Sequence, residues 1–197
     1  IAPTQSCNFA CTYCFEKWRQ SGTLSDQTEN AIINYIKHLK QTEGLENINL
    51  TWYGGEPLLQ YKRVISLAKR IEQLGLNINE NLLITNGYFC TPEIIKELVD
   101  AKITEIQITL DGFKEIHDIR RPLANGKGTF DTIIENLDNY YNSSFRDAFA
   151  IAIRVNIDNR NYKSFIDIYK WLNDRYKSKR LIVYPGVVVL DENDCNA

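Results

Sequence analysis

The chain has 197 residues, of which 44% are hydrophobic and 24% are charged, so it is long enough to bury one sizeable core, and one domain is expected. The formal net charge is −2 with both signs interspersed, which argues against a broad surface for nucleic acid or for an anionic membrane. No apolar run approaches the length that spans a bilayer, and the amino end lacks the pattern of a signal peptide, so we expect a soluble, cytoplasmic protein.

Hydrophobic patterns and breaker residues predict that strands and helices alternate along the chain. Strands are predicted at 1–4, as the end of a strand, and at 48–53, 82–85, 105–110, 149–155 and 181–185. Helices are predicted at 25–40, 61–75, 91–101, 129–141 and 162–176, and the segment 111–128 is predicted to be a long loop. This alternation favours right-handed crossovers and a mostly parallel sheet, either open and doubly wound or arranged as a barrel.

The unusual residues of the sequence follow the carboxyl ends of the predicted strands. They are a loop that contains three cysteines, the segment 54-GGEP-57, Asn86-Gly87, Asp111-Gly112 and Asn156. In parallel α/β folds this rim of the sheet is where ligands bind. Five independent loops that end at one rim therefore predict a binding site there.

The segment 6-SCNFACTYCFEK-17 contains Cys7, Cys11 and Cys14, and no fourth cysteine or histidine is close to them. An odd total of five cysteines, three of them crowded, suits metal binding in a reducing compartment better than a disulfide framework. Structural zinc is closed by four protein ligands, whereas a four-iron cluster held by three thiolates leaves one iron open to an external ligand. An iron–sulfur cluster is the favoured interpretation, and a zinc site or an incidental group of cysteines is the alternative.

The spacing C-x3-C-x2-C, with the aromatic residues Tyr13 and Phe15 beside the last cysteine, resembles the signature of the radical S-adenosylmethionine enzymes. The resemblance implies a 4Fe-4S cluster on Cys7, Cys11 and Cys14, whose open iron binds S-adenosylmethionine. It also implies that Tyr13 and Phe15 are among the residues that bind this cofactor. In that family an electron from the cluster cleaves the cofactor and gives a 5′-deoxyadenosyl radical. The implied fold is α/β, a partial (β/α)6 TIM-like barrel with parallel strands.

The segment 52-WYGGEP-57 resembles the GGE motif of the same family, which binds the ammonium group of the cofactor. Gly54 and Gly55 carry no side chain that would keep a bound amino acid away, and Glu56 brings a carboxylate. The resemblance implies further cofactor contacts at the ends of later strands, from Asn86, Thr109, Arg154 and Asn156. The alternative for the last two is a surface arginine and an asparagine that forms a turn, and Val155 is a further candidate for packing against the adenine.

The loop 111–128 carries His117, Asp118, Arg120 and Arg121, and the ordinary interpretation of such a charge cluster is a solvated surface. Its pattern HD-x-x-RP followed by G-x-GTFD, however, resembles the branch of the family that carries a C-terminal SPASM extension. The resemblance implies a barrel domain at 1–190 and the start of that extension at 191–197, where Cys195 is a candidate ligand for auxiliary 4Fe-4S clusters.

Members of that branch modify peptides and proteins, so the resemblance implies a peptide or protein substrate and a reducing partner such as flavodoxin or ferredoxin. The favoured function is the crosslinking maturation of a ribosomally made peptide. The alternatives are an anaerobic sulfatase-maturing enzyme, which forms formylglycine, and a non-catalytic metal- or peptide-binding module. No side chain is assigned as a general acid or base.

Overall fold

The structure is a computed structural model that describes residues 1–16 and 21–188. The helices are α1 (Asp26–Thr42), α2 (Tyr61–Glu72), α3 (Pro92–Asp100), α4 (Lys114–Arg120), α5 (Phe130–Asn142) and α6 (Phe165–Tyr176). The strands are β1 (Asn47–Trp52), β2 (Asn77–Thr85), β3 (Glu105–Thr109), β4 (Ala150–Ile157) and β5 (Leu181–Val187). Short 3₁₀ segments precede α2 and α6. Within the described part of the chain, no helix combines the length and the apolar character needed to cross a bilayer.

The strands form one parallel sheet in which their spatial order, β1-β2-β3-β4-β5, is also their order along the chain. Because parallel crossovers are right-handed, a sheet that is built up in chain order places its crossover helices on the same face. That winding belongs to a barrel, whereas a doubly wound sheet reverses its strand order and covers both faces. The predicted fold class, an α/β partial TIM-like barrel, is therefore confirmed.

The predicted first strand is not a strand of this sheet. Ile1 nevertheless lies parallel to β1, because its amino group donates to Thr51 O at 2.7 Å and its carbonyl accepts from Tyr53 N at 3.1 Å. Thr4 makes only an isolated antiparallel bridge to Thr23. In the described residues the segment bends away from β1 after its first residue, so the expected six strands become five.

The core lies between the sheet and its helices, as the sequence pattern requires. On α2, Val64, Leu67, Ala68 and Ile71 follow the i, i+3, i+4, i+7 spacing and are buried. They pack in one cluster with strand residues such as Leu83. Each fully buried aliphatic side chain contributes roughly 1.5–3 kcal/mol, so this contact fixes the sheet whose rim carries the site.

The segment 111–128 is not the long loop that the sequence suggested, because α4 lies within it. Thr129 precedes α5 but makes no capping hydrogen bond with its side chain. Asp118 of α4 caps α5 instead, since its Oδ1 accepts from Thr129 N at 2.8 Å and from Phe130 N at 2.9 Å. The two helices are thus joined by a side chain that the local sequence did not identify as a cap.

Candidate functional site

A cavity of about 450 Å³ lies at the carboxyl ends of the strands. The cysteine loop, defined here as residues 7–14, forms part of its wall with Cys7, Cys11, Tyr13 and Cys14. The predicted site residues outside this loop that also line the cavity are Phe15, Gly54, Gly55, Asn86, Thr109, Arg154 and Asn156. Among the predicted site residues that the structure describes, Glu56 and the further candidate Val155 are not part of the wall, and Cys195 lies outside the described residues. The structure therefore brings together nearly all of the residues proposed from the sequence.

The cysteine loop has no regular structure and is held by the segment that follows α4. Its backbone pairs antiparallel with residues 120–124, through Ala10 N to Pro122 O at 2.9 Å and Thr12 N to Arg120 O at 3.0 Å. Phe9 and Leu123 form the bridge between these bonds. The position of the thiols therefore depends on α4 and on the chain that leaves it.

The three thiols lie in each other's electrostatic field. Burial raises the pKa of the Cys11 thiol, and the guanidinium of Arg121 opposes that shift, while Cys7 and Cys14 reinforce it. Cys7 Sγ accepts a hydrogen bond from Phe9 N at 3.4 Å. Among residues 1–16 and 21–188, no group of His, Cys, Asp and Glu side chains has the arrangement of a single-ion metal site.

Gly54 and Gly55 pack directly against the backbone that leads into the cysteine loop. A Cβ on Gly55 would lie 2.1 Å from Ser6 O, and one on Gly54 would lie 2.6 Å from Thr4 O. The same segments are joined by Gly55 N to Thr4 O at 3.1 Å and by Glu56 N to Ser6 O at 2.8 Å. The two glycines thus allow β1 and the entry to the cysteine loop to touch, a role that the sequence did not indicate.

Glu56 is fully buried and its carboxylate is used within the protein. Oε1 accepts from Leu58 N at 2.9 Å and from Thr85 Oγ1 at 2.7 Å, and Oε2 accepts from Asn86 N at 2.7 Å. Burial raises the pKa of Glu56, and these hydrogen bonds work in the opposite direction. In this arrangement the carboxylate joins the end of β1 to the end of β2 behind the cavity wall, and its predicted contact with an ammonium group stays a prediction.

In the charge cluster His117, Arg120 and Arg121 are buried and Asp118 is half-buried, so its interpretation as a solvated surface is wrong. Arg120 Nε donates to Asp111 Oδ2 at 2.8 Å, and its Nη1 donates to Asp158 Oδ2 at 2.7 Å. His117 is also fully buried; its Nδ1 accepts from Asp111 N at 3.3 Å, and its Nε2 lies 3.1 Å from Thr129 Oγ1. These contacts bind α4 to the ends of β3 and β4, and the desolvated charges are satisfied by one another.

Arg121 is the main residue of the cavity wall that the sequence analysis did not assign to the site. Its Nη1 donates to the hydroxyl of Tyr13 at 2.7 Å, and its buried Nε has no hydrogen-bond partner in the described residues. Burial alone would lower the pKa of Arg121, but the neighbouring Tyr13, Cys11 and Asp111 raise it. The only sequence signal was the HD-x-x-RP pattern, because ordinary composition places arginine at the surface.

The strand ends contribute polar groups from several directions. Arg154 Nε donates to Asn156 Oδ1 at 2.9 Å, and both residues face the cavity as alternation along β4 requires. Gly186 makes room for this arginine, since a Cβ there would lie 2.4 Å from Arg154 Nε. Val155 is fully buried and does not line the cavity, so it is not available to pack against an adenine there.

Comparison with known proteins identifies a family for most of the chain. Residues 1–172 match the family model of the Radical SAM superfamily. The GTP 3′,8-cyclase of Haemophilus influenzae (strain PittEE) is 30% identical over 193 residues, which are 92% of this chain and 51% of that protein. The mycofactocin maturase MftC of Mycolicibacterium smegmatis is 30% identical over 162 residues, 79% of this chain and 37% of that protein.

Sulfatase-modifying proteins are similar to the chain as well. The serine-type anaerobic sulfatase-maturating enzyme of Klebsiella aerogenes is 30% identical over 142 residues, which are 68% of this chain and 34% of that protein. The solved structure of anSMEcpe with bound AdoMet superposes with a TM-score of 0.79 at 21% identity and covers 95% of this chain and 50% of that one. The chain thus spans about half or less of the length of these relatives.

Proposed function

The chain belongs to the Radical SAM superfamily, and we propose that it is the catalytic domain of an enzyme that modifies a peptide or protein substrate. The family implies a 4Fe-4S cluster and S-adenosylmethionine as cofactors. The observation that carries the proposal is the cavity itself, where three thiols, a buried guanidinium and the polar ends of the strands face one space.

The residues of the cavity fit a cluster with a bound cofactor. Cys7, Cys11 and Cys14 provide three thiols, and thiolates are the usual ligands of iron–sulfur clusters. Burial raises the pKa of Cys11, and the Arg121 guanidinium opposes that shift and so favours the thiolate that binds iron. The unpartnered Nε of Arg121 offers one more donor, and a buried donor of this kind is costly unless something accepts from it.

The cluster and S-adenosylmethionine, when bound, supply the 5′-deoxyadenosyl radical that abstracts hydrogen from a substrate. The chain's own residues bind and orient, as proteins generally do for reactive cofactors. We propose that Asn86, Thr109, Arg154 and Asn156 hold the polar parts of the cofactor, and that Phe15, which directly follows the cysteine loop, contacts it. A one-electron donor such as flavodoxin or ferredoxin is proposed as the reducing partner.

The first experiment tests the radical chemistry. The protein is reconstituted anaerobically with iron and sulfide, S-adenosylmethionine and dithionite are added, and 5′-deoxyadenosine is measured by chromatography. We expect the product from the unchanged protein and none from Cys11→Ala. Cys90→Ala is the matched control, because Cys90 is buried but is not part of the cavity wall, and it should keep both iron and product. A well-loaded protein that gives no product would contradict the proposal and favour a binding module.

The favoured substrate is a ribosomally made peptide that acquires an internal crosslink. The similarity to a mycofactocin maturase supports this proposal, and the similarity to a sulfatase-maturating enzyme supports the second candidate, oxidation of one side chain to formylglycine. The similarity to a GTP 3′,8-cyclase supports a different class of substrate, a nucleotide, as the competing proposal.

One comparison separates these substrates. The reconstituted protein is incubated in turn with a short precursor peptide encoded beside its gene, with a synthetic sulfatase peptide that carries cysteine or serine, and with GTP. A precursor peptide that loses two hydrogen atoms and does not react with a hydrazide reagent supports a crosslink. A hydrazide-reactive sulfatase peptide supports formylglycine. Consumption of GTP alone would overturn the peptide proposal.

A further inference from the structure

The hydroxyl group of Tyr13 lies at the centre of the contacts between the cysteine loop and the strand ends. It donates to Asp111 Oδ1 at 3.0 Å, and it accepts from Arg121 Nη1 at 2.7 Å and from Asn156 Nδ2 at 3.1 Å. One donated and two accepted bonds are the full capacity of a phenolic hydroxyl. A residue that is adjacent to Cys14 in the chain is thereby bonded to the ends of β3 and β4 and to the residue that follows α4.

The partners of this hydroxyl are themselves fixed. Asp111 is fully buried, and its second carboxylate oxygen accepts from Arg120. The Arg120 guanidinium lies 4.9 Å from the centre of the Tyr13 ring, so it contacts the ring as well as the carboxylate. Asn161 Nδ2 donates to Asp111 O at 2.8 Å and to Asn156 O at 2.9 Å, which joins the two strand ends from behind.

We propose that Tyr13, Asp111 and Arg120 are positioning residues that lock the cysteine loop in place through the Tyr13 hydroxyl. The loop has no regular structure of its own, and around this hydroxyl Asp111 and Arg121 are buried and Asn156 is half-buried. A phenylalanine would fill the same space, but it would leave Arg121, Asn156 and Asp111 each without one hydrogen bond. The spacing of the three thiols therefore depends on a hydroxyl group that the sequence motif alone does not specify.

Hydrogen exchange in the cluster-free protein tests the proposal without any cofactor or substrate. Two amides report on the lock: Ala10 N, which bonds to Pro122 O, and Thr12 N, which bonds to Arg120 O. We expect Tyr13→Phe to speed exchange in residues 8–14 by about tenfold, because local opening becomes easier when buried hydrogen bonds are lost.

Tyr140→Phe is the matched control. The hydroxyl of Tyr140 is also buried, donates to Phe149 O at 2.9 Å and accepts from Phe149 N at 3.3 Å. Phe149 directly precedes β4, so these bonds lie at the opposite end of that strand from the cavity. This variant should lower the free energy of unfolding of the whole protein. It should not raise the exchange rate of residues 8–14 by more than that of the other residues. A Tyr13→Phe protein that behaves in the same way as Tyr140→Phe would overturn the proposal.

The reconstituted protein gives a second, spectroscopic readout. We expect iron release to a chelator to be about tenfold faster in Tyr13→Phe, and the electron paramagnetic resonance signal of the reduced cluster to broaden as the thiols sample several positions. Asp111→Asn should act in the same direction, whereas Glu29→Gln, which changes a buried carboxylate between α1 and α2, should not. The proposal would be wrong if both Tyr13→Phe and Asp111→Asn left hydrogen exchange in residues 8–14 and the electron paramagnetic resonance signal unchanged.

Discussion

The cysteine loop is held on two sides by different physical means. On one side, the glycine flank, residues 54–56 touch residues 4–6 so closely that no side chain fits between the backbones. On the other side, the arginine flank, α4 and the ends of β3 and β4 hold the loop with buried charges and the Tyr13 hydroxyl. The glycine flank leaves no room for an added side chain, and the arginine flank depends on buried polar groups. Different substitutions should therefore destabilise the two flanks.

Arg120→Met should give the largest loss of stability, because it removes charge from the arginine flank at nearly constant size. Asp111 would remain buried without the guanidinium that bonds to it, and Asp158 would keep Arg160, whose side chain is 60% exposed. Breaking a buried ion pair from one side costs about 3–5 kcal/mol. The measurement is the free energy of unfolding in urea, made on cluster-free protein.

Arg63→Met is the control for that substitution. Arg63 bonds to Glu29 at 2.6 Å, but its side chain is 26% exposed and Glu29 keeps a second partner in Arg70. Partly exposed pairs contribute about 1 kcal/mol or less. Equal losses in the two variants would show that the arginine flank has no special dependence on buried charge.

Gly55→Ala tests the glycine flank by adding volume alone. The new Cβ would lie within 2.1 Å of Ser6 O and 2.5 Å of Gln5 O, and a backbone cannot yield as a flexible side chain does. Overpacking of this kind costs about 3 kcal/mol, and the displaced entry to the cysteine loop should also bind iron poorly. Gly22→Ala is the control, because its Cβ would have no atom within 4 Å, and its stability should be unchanged. Similar stability in both variants would refute the steric account.

The sequence predicted the position of the glycine flank in the fold, but it did not predict that the arginine flank is buried. The strand–helix alternation predicted a mostly parallel sheet, the family resemblance implied the partial barrel, and the structure places Cys7, Cys11 and Cys14 at the predicted rim. The arginine flank was interpreted as a surface loop, because burial of Arg120 depends on Asp158, a carboxylate 38 residues away in the chain. Pairing over such distances is set by the fold, and no local pattern contains it.

The same limit explains which contacts of the glycine flank the sequence did not indicate. Gly54 and Gly55 were correctly placed in the cavity wall, but their contact with residues 4–6 appears only when Ile1 lies along β1. The contact of Glu56 with an ammonium group stays a prediction, and the bonds of its carboxylate to Thr85 and Asn86 of the next strand end were not indicated by the sequence. A sequence motif can identify a residue type at a rim, but the direction of its side chain follows from neighbours in space.

Acid should affect the two flanks in opposite directions. Hydrogen bonds from Arg160 and Arg120 hold the pKa of Asp158 well below its ordinary value, so its stabilising effect is present above about pH 4 and is lost as the pH falls further. Burial raises the pKa of Glu56, so its effect is present below about pH 4.3 and is lost as the pH rises through the raised value.

Urea unfolding from pH 7 to about pH 2.5 therefore separates the two carboxyl groups. Over this range the free energy of unfolding of Asp158→Asn should fall by about 2 kcal/mol less than that of the unchanged protein. In the unchanged protein, Glu56 should increase the free energy of unfolding as the pH falls from neutral toward about 4.3, and Glu56→Gln should lack this increase. Parallel pH profiles for the two variants would contradict the opposite environments of these side chains.

Thr85→Val should have the smallest effect, and it tests whether the Glu56 carboxylate depends on each of its donors. Thr85 Oγ1 donates to Glu56 Oε1 at 2.7 Å and accepts from Gly87 N at 3.2 Å, and valine has nearly the same shape without the hydroxyl. The loss of a buried hydrogen bond to a charged group costs about 1.5 kcal/mol, and the pKa of Glu56 should rise further. Thr42→Val, which removes an exposed bond to His38 O, should cost less than half as much. If the two threonine variants unfold at the same urea concentration, the glycine flank is held by backbone contact alone and the buried carboxylate adds nothing to it.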